Sequence, residues 1–301
     1  MRKIRFVPAA ETIEVERPRP EAGQLLIRTE LSGVGIGLVR MIDGGKGADP
    51  GGEIIGEVVE VGPDVAPSWL GRRVGGVVFA GLFAEYALAA PQLVTEVPDS
   101  VPAADALGLV RGGLVALGAL RAGRFAPGES VLVTGAASGV GHLAVQLAKA
   151  DGARRVIAAA STADKAEFLR ECGADEVVDY VGDWGEPVDV VLDGIGGKLA
   201  ARGVAALGPH GRLVAFSAGG GTVELSALLA DLKTVTGFSM GLLGRTQPEL
   251  IDGYRRELFE LYAAGRLRPH CTVVPVEQVG EAVDLVVTRR NLGRVAVSFA
   301  A

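Results

Sequence analysis

The stretch that most constrains the fold runs over residues 131–150 and reads VLVTGAASGVGHLAVQLAKA. It opens with β-forming residues to Thr134, turns through the small residues 135–141, and continues with apolar residues at helical spacing. Strand, glycine turn and helix in this order are the context of a dinucleotide-binding fingerprint, whose small residues let the backbone approach a pyrophosphate. A strict GxGxxG has glycine where Ala136 and Ser138 stand, so a plain strand-to-helix turn is the alternative.

The bulk composition restricts the possible partners. A length of 301 residues predicts about two domains, and 49% hydrophobic residues suffice for a core in each. The net charge of −6, without a basic run, argues against nucleic acid and anionic membranes. We see no signal peptide and no run of about 18 apolar residues, so we expect no membrane partner and a cytoplasmic, soluble protein.

Cysteine and histidine are too sparse for a metal centre or a disulfide framework. The two cysteines are Cys172 and Cys271, and the three histidines are His142, His210 and His270. None of them has the spacing of metal ligands, and a catalytic zinc needs three protein ligands. We therefore predict no metal site, and we expect each histidine to be exposed or half-buried.

Secondary-structure patterns change in character near Leu114. Residues 1–112 are β-rich, with short strands between Pro and Gly that indicate a barrel. Beyond them strands alternate with helices, which predicts βαβ units and a parallel sheet with ligands at the carboxyl ends of its strands. The predicted strands are 131–134, 155–160, 176–179, 188–193 and 212–216, and helices are expected at 139–150, 163–172 and 198–207. A helix at 247–264, a strand at 271–275, a helix at 277–288 and a strand at 294–299 follow.

Several segments, in order along nearly the whole chain, resemble one family. They include TIEVERPRPEAGQLLIR, PGGEIIGEVVEVGPDV, APGESVLVTGAASGVGHLAVQLAKADGA and VVPVEQVGEAVDLVVTRRNLGRVAV. The chain resembles the medium-chain dehydrogenase/reductase superfamily in its zinc-free, zeta-crystallin-like quinone oxidoreductase branch. The resemblance implies an α/β fold in which a GroES-like β-barrel catalytic domain, 1–113 and 246–301, is interrupted by a Rossmann domain, 114–245. It also implies a homodimer formed near Val235–Phe238.

The sequence departs from the family on the substrate side. Zinc-containing members carry histidine at the position of Gly52, before the acid that corresponds to Glu53. The zinc-free members usually show GVNxxD and then GxY, whereas here the Asn is Gly35, the Asp is Leu38 and the Tyr is Lys46. The resemblance therefore implies a zinc-independent enzyme whose polar groups for handling substrate are reduced in number.

The cofactor side matches the family better and predicts NADP(H). An NAD-specific site has an acid at the end of the second strand, but here the strand ends in Ala160 and Ser161. A hydroxyl can donate to a 2′-phosphate, and Lys165 can supply positive charge; in the resembling family Ser161, Lys165 and Tyr180 take the positions that hold this phosphate. The alternative is that Ser161 caps a helix and Lys165 is solvated. The predicted cofactor-binding residues are Thr134, Ala137, Ser138, Gly139, Val140, Ser161, Lys165, Tyr180, Asp193, Gly194, Phe216, Ser217, Phe238, Ser239 and Asn291.

On the substrate side two cations are candidate catalytic residues that could stabilise negative charge on an acceptor oxygen. Lys46 occupies the family tyrosine position, and the alternative is that it is a solvated loop lysine. Arg111 lies in the apolar run GLVRGGLVAL, where it could pair with substrate or with a structural acid. We expect hydride transfer from NADPH to a small hydrophobic quinone or conjugated C=C (enone or enoyl) substrate. The alternatives are a polyketide-type enoyl reductase and a non-catalytic NADPH-binding sensor or scaffold.

Overall fold

A computed structural model describes residues 1–6, 9–216 and 219–299. The chain divides into two compact units: the first combines Met1–Arg111 with Pro269–Ala301, and the second is Gly112–Arg268. The sequence analysis placed the later boundary after residue 245. The structure places this boundary after Arg268, because the helix Pro248–Ala263 packs against other helices of the second unit.

The secondary structure alternates in the middle of the chain as the sequence predicts. The strands are β1 (Arg2–Phe6), β2 (Ala10–Glu14), β3 (Leu25–Val34), β4 (Gly52–Val61), β5 (Arg73–Val78), β6 (Tyr86–Ala89), β7 (Val94–Glu96), β8 (Ser130–Thr134), β9 (Arg155–Ala160), β10 (Glu176–Asp179), β11 (Val188–Asp193), β12 (Leu207–Ala215), β13 (Thr234–Gly237), β14 (Cys271–Pro275) and β15 (Arg294–Ser298). The helices are α1 (Ile36–Asp43), α2 (Ala103–Leu107), α3 (Leu114–Ala122), α4 (Gly141–Ala150), α5 (Ala166–Glu171), α6 (Lys198–Ala205), α7 (Ser226–Leu229), α8 (Met240–Thr246), α9 (Pro248–Ala263) and α10 (Val279–Val287).

The second unit is built on a six-stranded sheet in the order β10-β9-β8-β11-β12-β13. Every neighbouring pair is parallel. Strand β8 is buried along its whole length, as expected where helices cover both faces of a parallel sheet. Counted from β8, the order is 3-2-1-4-5-6, the Rossmann arrangement, and it reverses between β8 and β11. A ligand site is therefore expected at the carboxyl ends of these two strands.

The first unit contains a seven-stranded sheet assembled from both ends of the chain. The order is β14-β15-β3-β4-β5-β7, with β6 also paired to β3. Strand β15 lies antiparallel to β3, and β14 lies parallel to β15. Its core includes Ile27, Ile54, Phe83 and Val297, each at most 1% exposed. Pairing between residues about 260 apart in the sequence explains why the last 33 residues belong to this unit.

Helices in the β-rich region are the main correction to the sequence analysis. The short helices α1 and α2 were not predicted, and α2 continues through a π-helical segment, Gly108–Gly113, into α3. The combined helix Ala103–Ala122 is long and apolar enough to cross a membrane, a candidate that the sequence analysis missed. Its apolar window is 72% buried inside the protein, as core helices are.

Candidate functional site

The carboxyl ends of β8 and β11 are joined by a buried polar contact at the point where the strand order reverses. Thr134 Oγ1 donates to Asp193 Oδ1 at 2.7 Å, and both residues are at most 1% exposed. The N–H groups of Ile195 and Gly196 donate to the same carboxylate oxygen at 3.1 and 3.0 Å. The N–H of Gly194 donates to Thr134 Oγ1 at 3.0 Å. Asp193 Oδ2 is buried and has no hydrogen-bond partner among the described residues, so it is an acceptor that a ligand hydroxyl could satisfy.

The turn after β8 packs directly on the first turn of α4. Gly135 has φ 65°, a conformation that favours glycine. A Cβ atom at Gly141 would lie 2.2 Å from the carbonyl oxygen of Gly135, so only glycine fits there. Ser138 Oγ accepts from the Gly141 N–H at 3.0 Å. Helix α4 begins two residues later than predicted, and the predicted residues Ala137, Gly139 and Val140 lie in the turn before it.

His142 is a second correction, because the structure buries it completely (0% exposed). Its Nδ1 lies 2.8 Å from the carbonyl oxygen of Ser138, and its ring centroid lies 6.0 Å from that of Phe168 on α5. The imidazole thus holds the fingerprint turn against the next helix. An apolar helical face around the histidine was the available signal for burial.

Three residues predicted to read a 2′-phosphate follow two adjacent strands. Ser161 comes after β9 and is half-buried, and Tyr180 comes after β10 and is half-buried. Lys165 lies in the short 3₁₀ turn Ala163–Lys165 and is only 6% exposed, which rules out the solvated alternative. Because β9 and β10 are parallel neighbours, all three residues lie at the same edge of the sheet.

The loop that carries Tyr180 is supported by two residues that the sequence analysis missed. Arg202 on α6 donates through Nη1 to the Tyr180 carbonyl oxygen at 2.8 Å, and its guanidinium stacks 4.2 Å from the Trp184 ring centroid. Trp184 Nε1 donates to the Asp179 carbonyl oxygen at 2.8 Å. Asp179 accepts from N–H groups of its own loop, and these bonds lower the pKa of its carboxyl. The Asp179 carboxylate at the end of β10 thus accepts hydrogen bonds from its own loop.

The other predicted cofactor residues lie in different parts of the fold and make different contacts. Phe216 follows β12 and packs beside Gly194, where a Cβ atom would lie 2.9 Å from its ring. Phe238 packs against α3, since a Cβ atom at Gly118 would lie 2.2 Å from its ring. Ser239 caps α8 by accepting from the Leu242 N–H at 3.3 Å. Asn291 belongs to the first unit, where Nδ2 donates to the Gly293 carbonyl oxygen at 2.9 Å, and Ser217 lies outside the described residues.

In the first unit, Glu53 is a buried carboxylate between two arginines. Arg111 Nη1 donates to Glu53 Oε1 at 2.7 Å, and Arg294 Nη2 donates to Glu53 Oε2. Burial alone would raise the pKa of Glu53, but the charges of Arg294 and Arg111 outweigh it and lower the pKa below its ordinary value. Of the two alternatives for Arg111, the structure shows pairing with an acid. Sequence analysis missed Arg294, whose position in the last strand carries no local signal of charge pairing.

Two glycines make room for the Arg294 guanidinium. A Cβ atom at Gly33 would lie 2.7 Å from Arg294 Nη2, and one at Gly35 would lie 2.6 Å from Arg294 Nη1. Gly35 stands where the family usually has asparagine. A side chain at position 35 would therefore collide with the Arg294 guanidinium as it is placed here.

Lys46 takes no part in the ion pairs of this cluster. Its side chain is exposed. Its backbone N–H donates to the Met41 carbonyl oxygen at 2.7 Å and closes the end of α1. No ion pair involves Lys46 within residues 1–6, 9–216 and 219–299. The same residues contain no group of three or more His, Cys, Asp or Glu that could hold a metal ion.

Known proteins are similar to this chain in sequence and in fold. The family model for zinc-binding dehydrogenases matches residues 139–254. Prostaglandin reductase-3 of Bos taurus is 30% identical over 317 residues, which cover 94% of this chain and 83% of that protein. The chain belongs to the medium-chain dehydrogenase/reductase superfamily, in its quinone oxidoreductase-like branch. This membership confirms the predicted family. The chain is an oxidoreductase of this superfamily and has the two-domain α/β fold expected from the sequence.

Solved structures of the superfamily superpose over nearly the whole chain. The mycobacterial protein Rv1454c, solved in complex with NADPH, has a TM-score of 0.90 at 28% identity and covers 99% of this chain and 100% of its own. A quinone oxidoreductase of Pseudomonas syringae has a TM-score of 0.89 at 26% identity, with 99% of each chain covered. The CurK enoyl reductase has a TM-score of 0.85 at 25% identity, covering 99% of this chain and 98% of its own.

Proposed function

We propose that this protein is a zinc-independent, NADPH-dependent oxidoreductase that reduces a quinone or a conjugated C=C bond. The observation that carries the proposal is the polar contact between Thr134 and Asp193 at the reversal of the Rossmann sheet, beside a turn that only glycine can form at Gly141. The superfamily relatives include proteins named prostaglandin reductase, quinone oxidoreductase and enoyl reductase.

The residues of the second unit fit a dinucleotide. The tight turn at Gly135 and Gly141 is the kind of backbone that approaches a pyrophosphate, and the free oxygen of Asp193 can accept from a hydroxyl. Ser161, Lys165 and Tyr180 would hold the 2′-phosphate. When bound, NADPH supplies the hydride, and the protein contributes orientation and electrostatics.

On the substrate side, we propose that a cation of the first unit stabilises negative charge on the acceptor oxygen. Arg111 and Lys46 remain the two candidates. Arg111 has the stronger support, because Glu53 restrains its guanidinium, whereas no ion pair with the described residues restrains Lys46. Zinc independence is supported by the same cluster, since the Glu53 carboxylate is already paired with two arginines.

The decisive experiment measures NADPH oxidation with a panel of quinones and enones, together with the metal content of the purified protein. We expect turnover with at least one acceptor and well under one zinc per chain. Tight NADPH binding without turnover on a broad panel would favour the sensor or scaffold alternative. Stoichiometric zinc whose chelation abolishes activity would overturn zinc independence.

A second candidate function is enoyl reduction of a polyketide-type thioester. A phenolphthiocerol/phthiocerol polyketide synthase of Mycobacterium tuberculosis is 30% identical over 310 residues, although the match covers only 14% of that protein. Comparing enoyl thioesters with quinones at equal concentration separates the two. A much higher kcat/KM for the thioesters would establish the second candidate.

We also propose a cytoplasmic homodimer that associates through β13. This strand is the edge of the six-stranded sheet, and Val235 on it is 37% exposed. An exposed edge strand offers unpaired backbone groups to a second copy. Light scattering should give twice the chain mass, and Val235→Lys should reduce it to the chain mass.

A further inference from the structure

The cluster around Glu53 holds unequal charge. One carboxylate meets two guanidinium groups, through Arg111 Nη1 at 2.7 Å and through Arg294 Nη2. Cys271 is close enough for Arg294 to influence it, but burial raises the pKa of this thiol to about 12, so it adds no negative charge. The charges that shift the pKa of Glu53 are those of Arg294 and Arg111. The Glu53 cluster therefore carries one more positive than negative charge.

Arg111 is by far the most exposed member of the Glu53 cluster. The side chains of Glu53 and Arg294 are 6% and 14% exposed, whereas that of Arg111 is 47% exposed. A guanidinium has five N–H donors in a planar fork, and the contacts of Arg111 with the described residues use one of them, on Nη1. The surplus charge is therefore available at a half-exposed group whose orientation the buried carboxylate restrains.

We propose that Arg111 forms a binding site for an anionic oxygen of the substrate, with Arg294 supplying the charge that leaves Arg111 incompletely neutralised. The inference rests on the proposed function and names its substrate class: a conjugated carbonyl compound that either carries a carboxylate or gains negative charge on its carbonyl oxygen. Planar, bidentate recognition of such oxygens is the chemistry for which arginine is suited.

A binding test that needs no turnover is protection from phenylglyoxal, which modifies accessible arginines. Crotonate, a small conjugated carboxylate, is compared with its neutral analogue crotonamide, and modified peptides are mapped by mass spectrometry. Crotonate at ten times its dissociation constant should slow modification of Arg111 about tenfold by mass action, whereas crotonamide should not. Arg28, an exposed arginine paired with Glu57, is the internal control and should react equally in both. Equal protection by the two compounds, or none, overturns binding of a carboxylate at Arg111 and leaves only an oxygen that becomes charged during reaction, which the kinetics below test.

The role assigned to Arg294 is tested by changing its charge. Arg294→Gln makes the Glu53 cluster neutral and should weaken protection of Arg111 by crotonate about tenfold, the loss expected for one charge-assisted contact. Arg294→Lys keeps the charge and should restore protection. Arg73→Gln, which alters an arginine paired with Glu30 in the same unit, is the control for general destabilisation. Full protection in folded Arg294→Gln would refute the surplus-charge argument.

Steady-state kinetics distinguish the two sources of the anionic oxygen. In Arg111→Gln, a higher KM for acidic enoates with unchanged kcat identifies a carboxylate bound in the ground state. A kcat lowered about 10²- to 10³-fold on neutral enones identifies an oxygen that becomes charged during reaction. Unchanged kinetics on both classes overturns the site. If the wild-type protein reduces no acceptor, the proposed function fails, while the protection experiment still decides whether Arg111 binds anionic oxygens.

Discussion

The two units stabilise their buried carboxylates in opposite ways. In the second unit, Asp193 is held by neutral donors, a hydroxyl and two backbone N–H groups, all within three residues of the ends of β8 and β11. In the first unit, Glu53 is held by two guanidinium groups that come from positions 58 and 241 residues away. Neutral donors satisfy one oxygen of Asp193, Oδ1, without adding charge. Two arginines overcompensate it and leave a cation for other use.

This difference follows how each unit relates to its family. The second unit keeps the fingerprint turn, in which the backbone itself provides the donors. The first unit lacks the family side chains at Gly35, Leu38 and Lys46, and an arginine from the last strand occupies space beside Gly33 and Gly35. The fingerprint turn thus depends on main-chain geometry, whereas the Glu53 contacts depend on two long side chains.

The largest expected effect is on Glu53. Replacement by Ala leaves two guanidinium groups without their carboxylate and should lower the free energy of unfolding by about 3–5 kcal/mol. Glu57→Ala on the same strand removes an exposed pair with Arg28 and should cost about 0–1 kcal/mol. Urea unfolding at neutral pH measures both. Equal losses would mean that the Glu53 cluster is no more important to stability than a surface pair.

The contribution of the Glu53 ion pairs to the free energy of unfolding should decrease as the pH falls. The folded-state pKa of Glu53 lies below its ordinary value, so the stabilisation is complete above the unfolded-state pKa and is lost as pH falls through the folded-state pKa. Wild type should therefore lose more stability on acidification than Glu53→Gln does. Parallel stability curves for the two proteins would contradict the lowered pKa.

Two matched contacts on β8 allow an effect on stability to be separated from an effect on cofactor binding. Ser130 Oγ donates to Asp189 Oδ2 at 2.7 Å at one end of β8 and β11, just as Thr134 Oγ1 donates to Asp193 at the other. Ser130→Ala and Thr134→Val should each cost about 1.5–3 kcal/mol of stability. Only Thr134→Val should also weaken NADPH, as measured by fluorescence titration. A loss of affinity in Ser130→Ala would indicate that cofactor binding reports general stability.

A smaller effect is expected at the 2′-phosphate. Lys165→Ala should weaken NADPH about tenfold to a hundredfold and leave NADH nearly unchanged, because one charge-assisted hydrogen bond is lost. Lys149→Ala, which removes an exposed pair with Asp175, is the control in the same unit. Titration of both cofactors against the three proteins measures the discrimination. Equal losses for NADPH and NADH would show that Lys165 does not read the phosphate.

The smallest effect is expected for Lys46, whose side chain is exposed to water. Lys46→Ala should lower kcat less than about tenfold, since solvent screens an exposed cation, against about 10²–10³ for loss of a buried oxyanion donor. Steady-state assays beside Arg111→Gln decide between the two cations. A larger loss in Lys46→Ala would transfer the acceptor-side role to the lysine.

Local patterns predicted strands in both units, including β14 of the first unit with its observed bounds, and mainly missed helices. Strands β9, β10 and β11 were predicted with their observed bounds because each is a short run rich in β-forming apolar residues between turn residues. Helix α1 was missed because its eight residues follow a glycine-rich segment and bury only Leu38. The boundary at Arg268 was missed because α9 joins the second unit through packing with other helices, which no local pattern records.

The sequence by itself determined the fingerprint turn, the parallel sheet and the absence of an acid at the end of β9, since each depends on residues close together in the chain. Only the tertiary structure decided that His142 is buried, that Lys165 is withdrawn from solvent, and that Arg111 pairs with Glu53. The same holds for Arg294, which meets Glu53 only because β15 pairs with β3 next to β4. Contacts of this kind depend on strand register across hundreds of residues, and periodicity within one segment carries no information about them.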